Sequence, residues 1–176
     1  MTNETMGNQQ ATEAEIGWLA GIIDGEGHIG LSNQNSKKVR SVRVDLQIVN
    51  TDIKLIEKLV NILRKIGVNP YIRERVHVKK TWSTNTIVTV GKFAHIKRIL
   101  DIVKPHLTGM KSEKTEIVLA LIESRMKKTR NDKYDAQELE IVRVYRERFI
   151  GKYGASTTAR EAYRASSGMK IQSVLA

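Results

Sequence analysis

Cysteine is absent from all 176 residues. That excludes a disulfide framework and a thiolate zinc site, and it fits a reducing compartment. Long apolar runs are also missing. No stretch approaches the roughly 20 residues of a membrane-spanning helix, and the polar start Met1 to Gln10 lacks the shape of a signal peptide. A soluble intracellular protein with no membrane partner is expected, in a prokaryotic cytoplasm or an organelle. Residues 1–27 lack any Lys or Arg yet hold five acids, Glu4, Glu13, Glu15, Asp24 and Glu26. Elsewhere the balance reverses, with 16 basic and 5 acidic residues over 28–110 and 14 against 9 over 111–176. An acidic element inside a chain of net charge +11 suits a protein that binds a phosphate backbone while holding cations. A basic surface that only aids solubility is the bland alternative.

What is present reads as one core's worth of hydrophobic residues, 40% of the chain. A polar leader over 1–11 precedes a domain over 12–150, and a basic tail over 151–176 follows, able to form a short helix from Ala159 to Ala165. Thr12-Glu13-Ala14-Glu15 has the form of a capping box and predicts a helix ending near Gly25-Glu26-Gly27. From His28 the apolar period becomes two, through Ile29 and Leu31 and then Val42, Val44, Leu46 and Ile48, which predicts a hairpin turned through Ser32 to Lys38. Helical spacing returns over Thr51 to Ile66, with Gly67 at its stop. Tyr71 to Lys79 and Asn85 to Gly91 form a second predicted hairpin, and Lys92 to Val103 a helix ended by Pro105. Ser112 caps a predicted fourth helix, and Ala136 to Phe149 forms a fifth. The fold class is therefore α+β: an αββαββα core whose four-stranded antiparallel, saddle-like sheet carries helices on one face, with extra C-terminal helices.

If the alternating apolar residues face the helices, the other strand positions face outward. By parity these are His28, Ser32 and Gln34; Ser41, Arg43, Asp45 and Gln47; Tyr71, Arg73, Arg75, His77 and Lys79; and Asn85, Ile87 and Thr89. Arg and Lys read guanine, and Asn and Gln read adenine, in the major groove, so the polar members form a candidate surface for double-stranded DNA.

The segment Leu19-Ala20-Gly21-Ile22-Ile23-Asp24-Gly25-Glu26-Gly27 resembles the signature of the LAGLIDADG homing endonucleases, with six of nine positions identical. The order of helices and hairpins over about residues 12–126 is similar to that family's core. Because the motif occurs once, the chain looks like the single-motif branch, in which two copies make one enzyme. The resemblance implies metal-dependent hydrolysis of both strands of a long, near-palindromic DNA site by a homodimer. It carries the metal-binding acid over to Glu26 and a further carbonyl ligand to Gly25, and magnesium suits such hard oxygen donors. Glu26 stands where the name motif has Asp, one methylene shorter. Asn50 takes the role of orienting water and Lys111 that of stabilising charge at the phosphate, with Lys114 a competitor and Lys54 a further candidate. Leu19, Ala20, Gly21 and Asp24 fall at the expected dimer interface, Ala20 and Gly21 permitting close approach and Asp24 capping or bracing the helix end. An intron RNA maturase and a non-cleaving DNA-binding regulator are the alternatives on the same scaffold.

Overall fold

The computed structural model describes residues 10–33, 42–76, 83–129 and 131–150. The first helix, α1 (Glu13–Glu26), opens on the expected capping box. The Glu15 amide donates to Thr12 Oγ1 at 3.2 Å, and the Thr12 amide donates to Glu15 Oε2 at 2.9 Å. At its other end Gly27 turns into extended backbone while its amide still donates to the carbonyls of Ile22 and Ile23. Gly27 has to be glycine. A Cβ there would lie 2.6 Å from the Ile23 carbonyl oxygen and 2.8 Å from Ile23 Cα. Strand β1 (Gly27–Asn33) therefore leaves the helix with no intervening loop.

Strand β2 (Val42–Asn50) is followed by α2 (Ile53–Lys65), which starts two residues later than its periodicity predicts. The Asp52 carboxylate caps it, accepting from the amides of Lys54 at 2.9 Å and Leu55 at 3.3 Å. Gly67, at φ +73°, ends that helix as expected. Strands β3 (Tyr71–Arg75) and β4 (Asn85–Val90) precede α3 (Phe93–Val103), and a single 3-10 turn at Lys104–His106 carries Pro105. Helix α4 (Gly109–Met126) begins before Ser112, because the Thr108 carbonyl accepts from the amides of Lys111 and Ser112. Ser112 thus lies inside the first turn and is not its cap. Helix α5 (Ala136–Tyr145) opens on a second capping box, Asp135 with Glu138, and widens into a π turn over Arg146–Ile150.

The four strands form one sheet in the order β1-β2-β4-β3. Strand β4 pairs antiparallel with β2, Gln47 opposite Thr89, and with β3, Tyr71 opposite Thr89. The described residues fall into two compact units, one running up to Ile29 and from Asp45 to Ser112, the other comprising Gly30–Val44 and the chain from Glu113 onward. In the first, α1 packs against α2 and α3, and α2 packs on β4, burying Leu19, Ile23, Leu46, Ile48, Leu59, Leu63, Val88, Ile99 and Leu100. Each such side chain contributes about 1.5–3 kcal/mol by leaving water. The second unit is built on Val42, Val44, Ile117, Val118, Leu121, Ile141, Val142 and Tyr145. There the buried Glu138 carboxylate is met by Ser124, Lys128 and Arg125. No helix among the described residues is long and apolar enough to cross a membrane.

A candidate acidic helix end and an open sheet face

Glu26 is the last residue of α1 and is exposed. Two acids, Asp24 and Glu26, lie in the final turn, where the helix dipole is negative, and that turn has no basic residue. Each acid so placed opposes the dipole by about 0.3–1 kcal/mol, so helix stability alone does not account for them.

The surroundings treat the two carboxylates differently. Asp24 is engaged: Thr108 Oγ1 donates to its Oδ2 at 2.8 Å, and the Thr108 amide approaches Oδ1 at 3.4 Å. It braces the helix end, as the sequence suggests. Beside Glu26, the Lys111 ammonium donates to the carbonyl of Gly27. The carbonyls of Asp24, Gly25 and Glu26 belong to the terminal turn, whose acceptors have no intrahelical donor. Among the described residues no three His, Cys, Asp or Glu side chains converge. The chain thus offers one exposed carboxylate and a nearby backbone carbonyl. That set fits magnesium, which keeps several waters and takes one or two carboxylates together with phosphate oxygens.

Of the other lysines, Lys114 is half-buried with its ammonium 5.2 Å from the centre of the Phe149 ring, and desolvation by burial pushes its pKa down. Lys54 is exposed in the first turn of α2. Asn50 ends β2 and its Oδ1 accepts the Asp52 amide at 2.9 Å, so its acceptor holds the turn into α2. Its side-chain NH2 and the second lone pair of Oδ1 remain for orienting a water.

The small-residue face of α1 differs from expectation. Leu19 and Ala20 are 0% and 1% exposed within the chain's own core, so neither presents a free surface. Gly17, Gly21 and Gly25, four residues apart, are exposed on one face, and a Cβ on any of them would meet nothing within 4 Å. The period of 3.6 puts Ala20 and Gly21 about 100° apart, and the core covers the former.

Across the sheet, the register aligns Gln47, Thr89 and Tyr71 in one row, Val49, Ile87 and Arg73 in the next, and Asn85 with Arg75 in a third. His28, Arg43, Tyr71, Arg73 and Arg75 are exposed as expected, and Gln47 and Asn85 partly so. Asp45 and Thr89 are not: they are 7% and 8% exposed. Both lie on the sheet's inner strands, which have a neighbour on either side, and Asp45 accepts from Gln47 Nε2. Ile87, between Arg73 and Val49 on the same face, is buried as well. Strand β3 departs in the opposite sense. All five residues are exposed, including Ile72 at 42%, because β3 is the sheet edge and its second face is uncovered. Gln34, Ser41, His77, Lys79 and the tail lie outside the described residues. Ser32 belongs to β1, but its side chain is outside them.

Sequence reasoning missed Thr108. A threonine just before a helix suggests a cap, whereas its hydroxyl donates to a carboxylate 84 positions away, which no local pattern announces.

A family model described as a LAGLIDADG-like domain matches residues 13–104, just over half of the chain. No curated protein matches the sequence. Among solved structures, the homing endonuclease I-CvuI in complex with its target in the presence of calcium superposes with a TM-score of 0.52 at 17% identity, over 89% of this chain and 94% of that one. The homing endonuclease I-TnaI gives 0.51 at 16%, over 92% and 99%. The LAGLIDADG meganuclease I-CpaMI bound to uncleaved DNA gives 0.55 at 15%, over 88% of this chain but 51% of that one. At these identities the likeness shows a common fold. The chain belongs to the LAGLIDADG homing endonuclease family.

Proposed function

We propose that the protein is a site-specific endonuclease that cuts both strands of a long, near-palindromic DNA duplex as a magnesium-dependent homodimer. The observation that carries this reading is the exposed Glu26 carboxylate ending a helix against its dipole, between an engaged Asp24 and a lysine fixed on the adjacent Gly27 carbonyl. Glu26 and the Gly25 carbonyl would hold the metal. Magnesium, when bound, neutralises phosphate charge and acidifies a coordinated water. Lys111 supplies a preorganised positive charge to the phosphate as it gains charge in the transition state. The Asn50 NH2 orients the attacking water.

Recognition falls to the open sheet face. Arg43, Arg73 and Arg75 suit guanine, and Gln47 and Asn85 suit adenine, with Tyr71 and His28 beside them. Asp45 acts indirectly by fixing the Gln47 amide, and Thr89 stands between Gln47 and Tyr71 in the register. Ser32, Gln34, Ser41, His77 and Lys79, whose side chains lie outside the described residues, flank these positions in sequence. Two copies meet through the Gly17, Gly21 and Gly25 face about a two-fold axis, Asp24 beside it. Glycine within a helix costs about 0.5–1 kcal/mol relative to alanine, so three exposed on one face call for a compensating close approach. The half-length match to I-CpaMI is consistent with a chain that supplies half of a two-fold assembly.

The test is a plasmid library of candidate target sites incubated with magnesium and with either wild type or Glu26→Gln. Linear plasmid from wild type alone, lost on adding EDTA, is the expected result. Equal cutting by the variant would overturn the metal-ligand assignment, and no cutting by wild type would favour the non-cleaving regulator.

A further inference from the structure

Two contacts join the end of α1 to the start of α4, and they are the same three residues apart on both sides: Asp24 with Thr108, and Gly27 with Lys111. Together they close a ring. From Asp24 the chain runs through Gly25 and Glu26 to Gly27, whose carbonyl accepts the Lys111 ammonium. From Lys111 it runs back to Thr108, whose carbonyl accepts the Lys111 amide at 3.2 Å and the Ser112 amide at 3.3 Å. The Thr108 hydroxyl completes the ring on Asp24 at 2.8 Å. Between them Gly109, at φ +49°, makes the sharp turn into α4, and Leu107 anchors the preceding residue in the core.

From this ring we infer that Asp24 and Thr108 are a positioning pair for Lys111. Thr108 is tied on both sides, its hydroxyl to α1 and its carbonyl to the first turn of α4, so the Lys111 backbone is fixed relative to Glu26. Lysine needs such a tie because its charge sits on a flexible four-carbon stem. Gly27, held by the close approach of Ile23, offers the ammonium a rigid carbonyl. The pair explains why a second acid stands in the unfavourable last turn of α1 without serving as a metal ligand. Asp24 acts through Lys111 and does not touch substrate. This inference rests on the role proposed above for Lys111, and the experiment separates the two.

Thr108→Val removes the hydroxyl at constant shape, and Thr108→Ser keeps it. In the free protein, acylation of Lys111 by an amine-reactive ester, read by mass spectrometry, rises severalfold in Thr108→Val and stays at the wild-type level in Thr108→Ser. On a duplex recovered from the plasmid library, Thr108→Val lowers the single-turnover cleavage rate by about tenfold to a hundredfold, the usual penalty for a displacement near 1 Å. DNA affinity measured in calcium stays unchanged, and Thr108→Ser restores the rate. In a Lys111→Met background, Thr108→Val has no further effect on the rate. Unchanged acylation in Thr108→Val would overturn the positioning pair, as would an equal rate loss with and without Lys111. Wild-type cleavage by Lys111→Met would instead remove the role of Lys111 itself. The acylation result then decides the contact on its own.

Discussion

Replacing Gly21 by alanine separates the stability of one protomer from the pairing of two. The residue lies inside α1, and a Cβ there meets nothing within 4 Å. The new methyl therefore causes no clash, and it restricts the unfolded chain, which stabilises the fold by about 0.4–1 kcal/mol. For a domain of this size about 2–4 °C in Tm follows each kcal/mol. Melting at concentrations below the dimer's Kd should therefore rise by about 1–4 °C. The same methyl projects from the face on which two copies are proposed to meet. Overpacking a close contact costs about 1–3 kcal/mol, which weakens the dimer by about 5-fold to 150-fold. Sedimentation equilibrium reads the second quantity. A lower Tm would refute the placement of Gly21 on an open helix face, and an unchanged dimer affinity would refute that face as the interface. Gly27→Ala supplies the contrast. Its Cβ would stand 2.6 Å from a backbone oxygen, against 3.4 Å for ordinary contact, so it should destabilise the protomer by about 1–3 kcal/mol.

Truncating Arg73 or Arg75 should cost about 1–3 kcal/mol of DNA affinity and relax preference at one base position, as read by binding to single-base variants of the site. Loss spread evenly over all sequences would show phosphate contacts instead. Binding should weaken linearly with the logarithm of salt concentration, and a flat titration would contradict an electrostatic interface. In the second unit, burial pushes the Glu138 carboxyl up, but hydrogen bonds from the Asp135 amide, Lys128 and Ser124 outweigh it and hold the pKa below the usual 4.5. A depressed carboxylate contributes stability above its unfolded pKa and loses it as pH falls through the folded value. Glu138→Gln should therefore be less stable than wild type at pH 7, with urea midpoints converging below about pH 4.5. A gap that stays constant to pH 3 would contradict the assignment.

Much of the fold was legible because its signals are local. The Thr12 to Glu15 box, the Gly67 stop and the alternation through Val42 to Ile48 each depend on neighbouring residues, and each is found where expected. Positions set by distant groups were not legible. Helix α4 starts at Gly109, where the Thr108 carbonyl accepts the first amides, and the Thr108 hydroxyl is tied to Asp24, far away in sequence. Parity assigned Asp45 and Thr89 to the outward face but could not reveal that both are buried, each on a strand with neighbours on either side. It equally missed the exposure of Ile72, which follows from β3 being the edge. In α1, Ala20 and Gly21 look equivalent as small residues, and only the packing of α2 and α3 separates the covered face from the glycine one.

Glu26 of each of two copies is proposed to serve the cutting of one strand. Heterodimers of wild-type and Glu26→Gln chains, incubated with magnesium and a supercoiled plasmid bearing the site, test it most directly. Wild type should give linear plasmid, the heterodimer open circles with one strand cut, and the Glu26→Gln homodimer neither. Linear product from the heterodimer at the wild-type rate, or any cutting by the variant homodimer, would contradict the account.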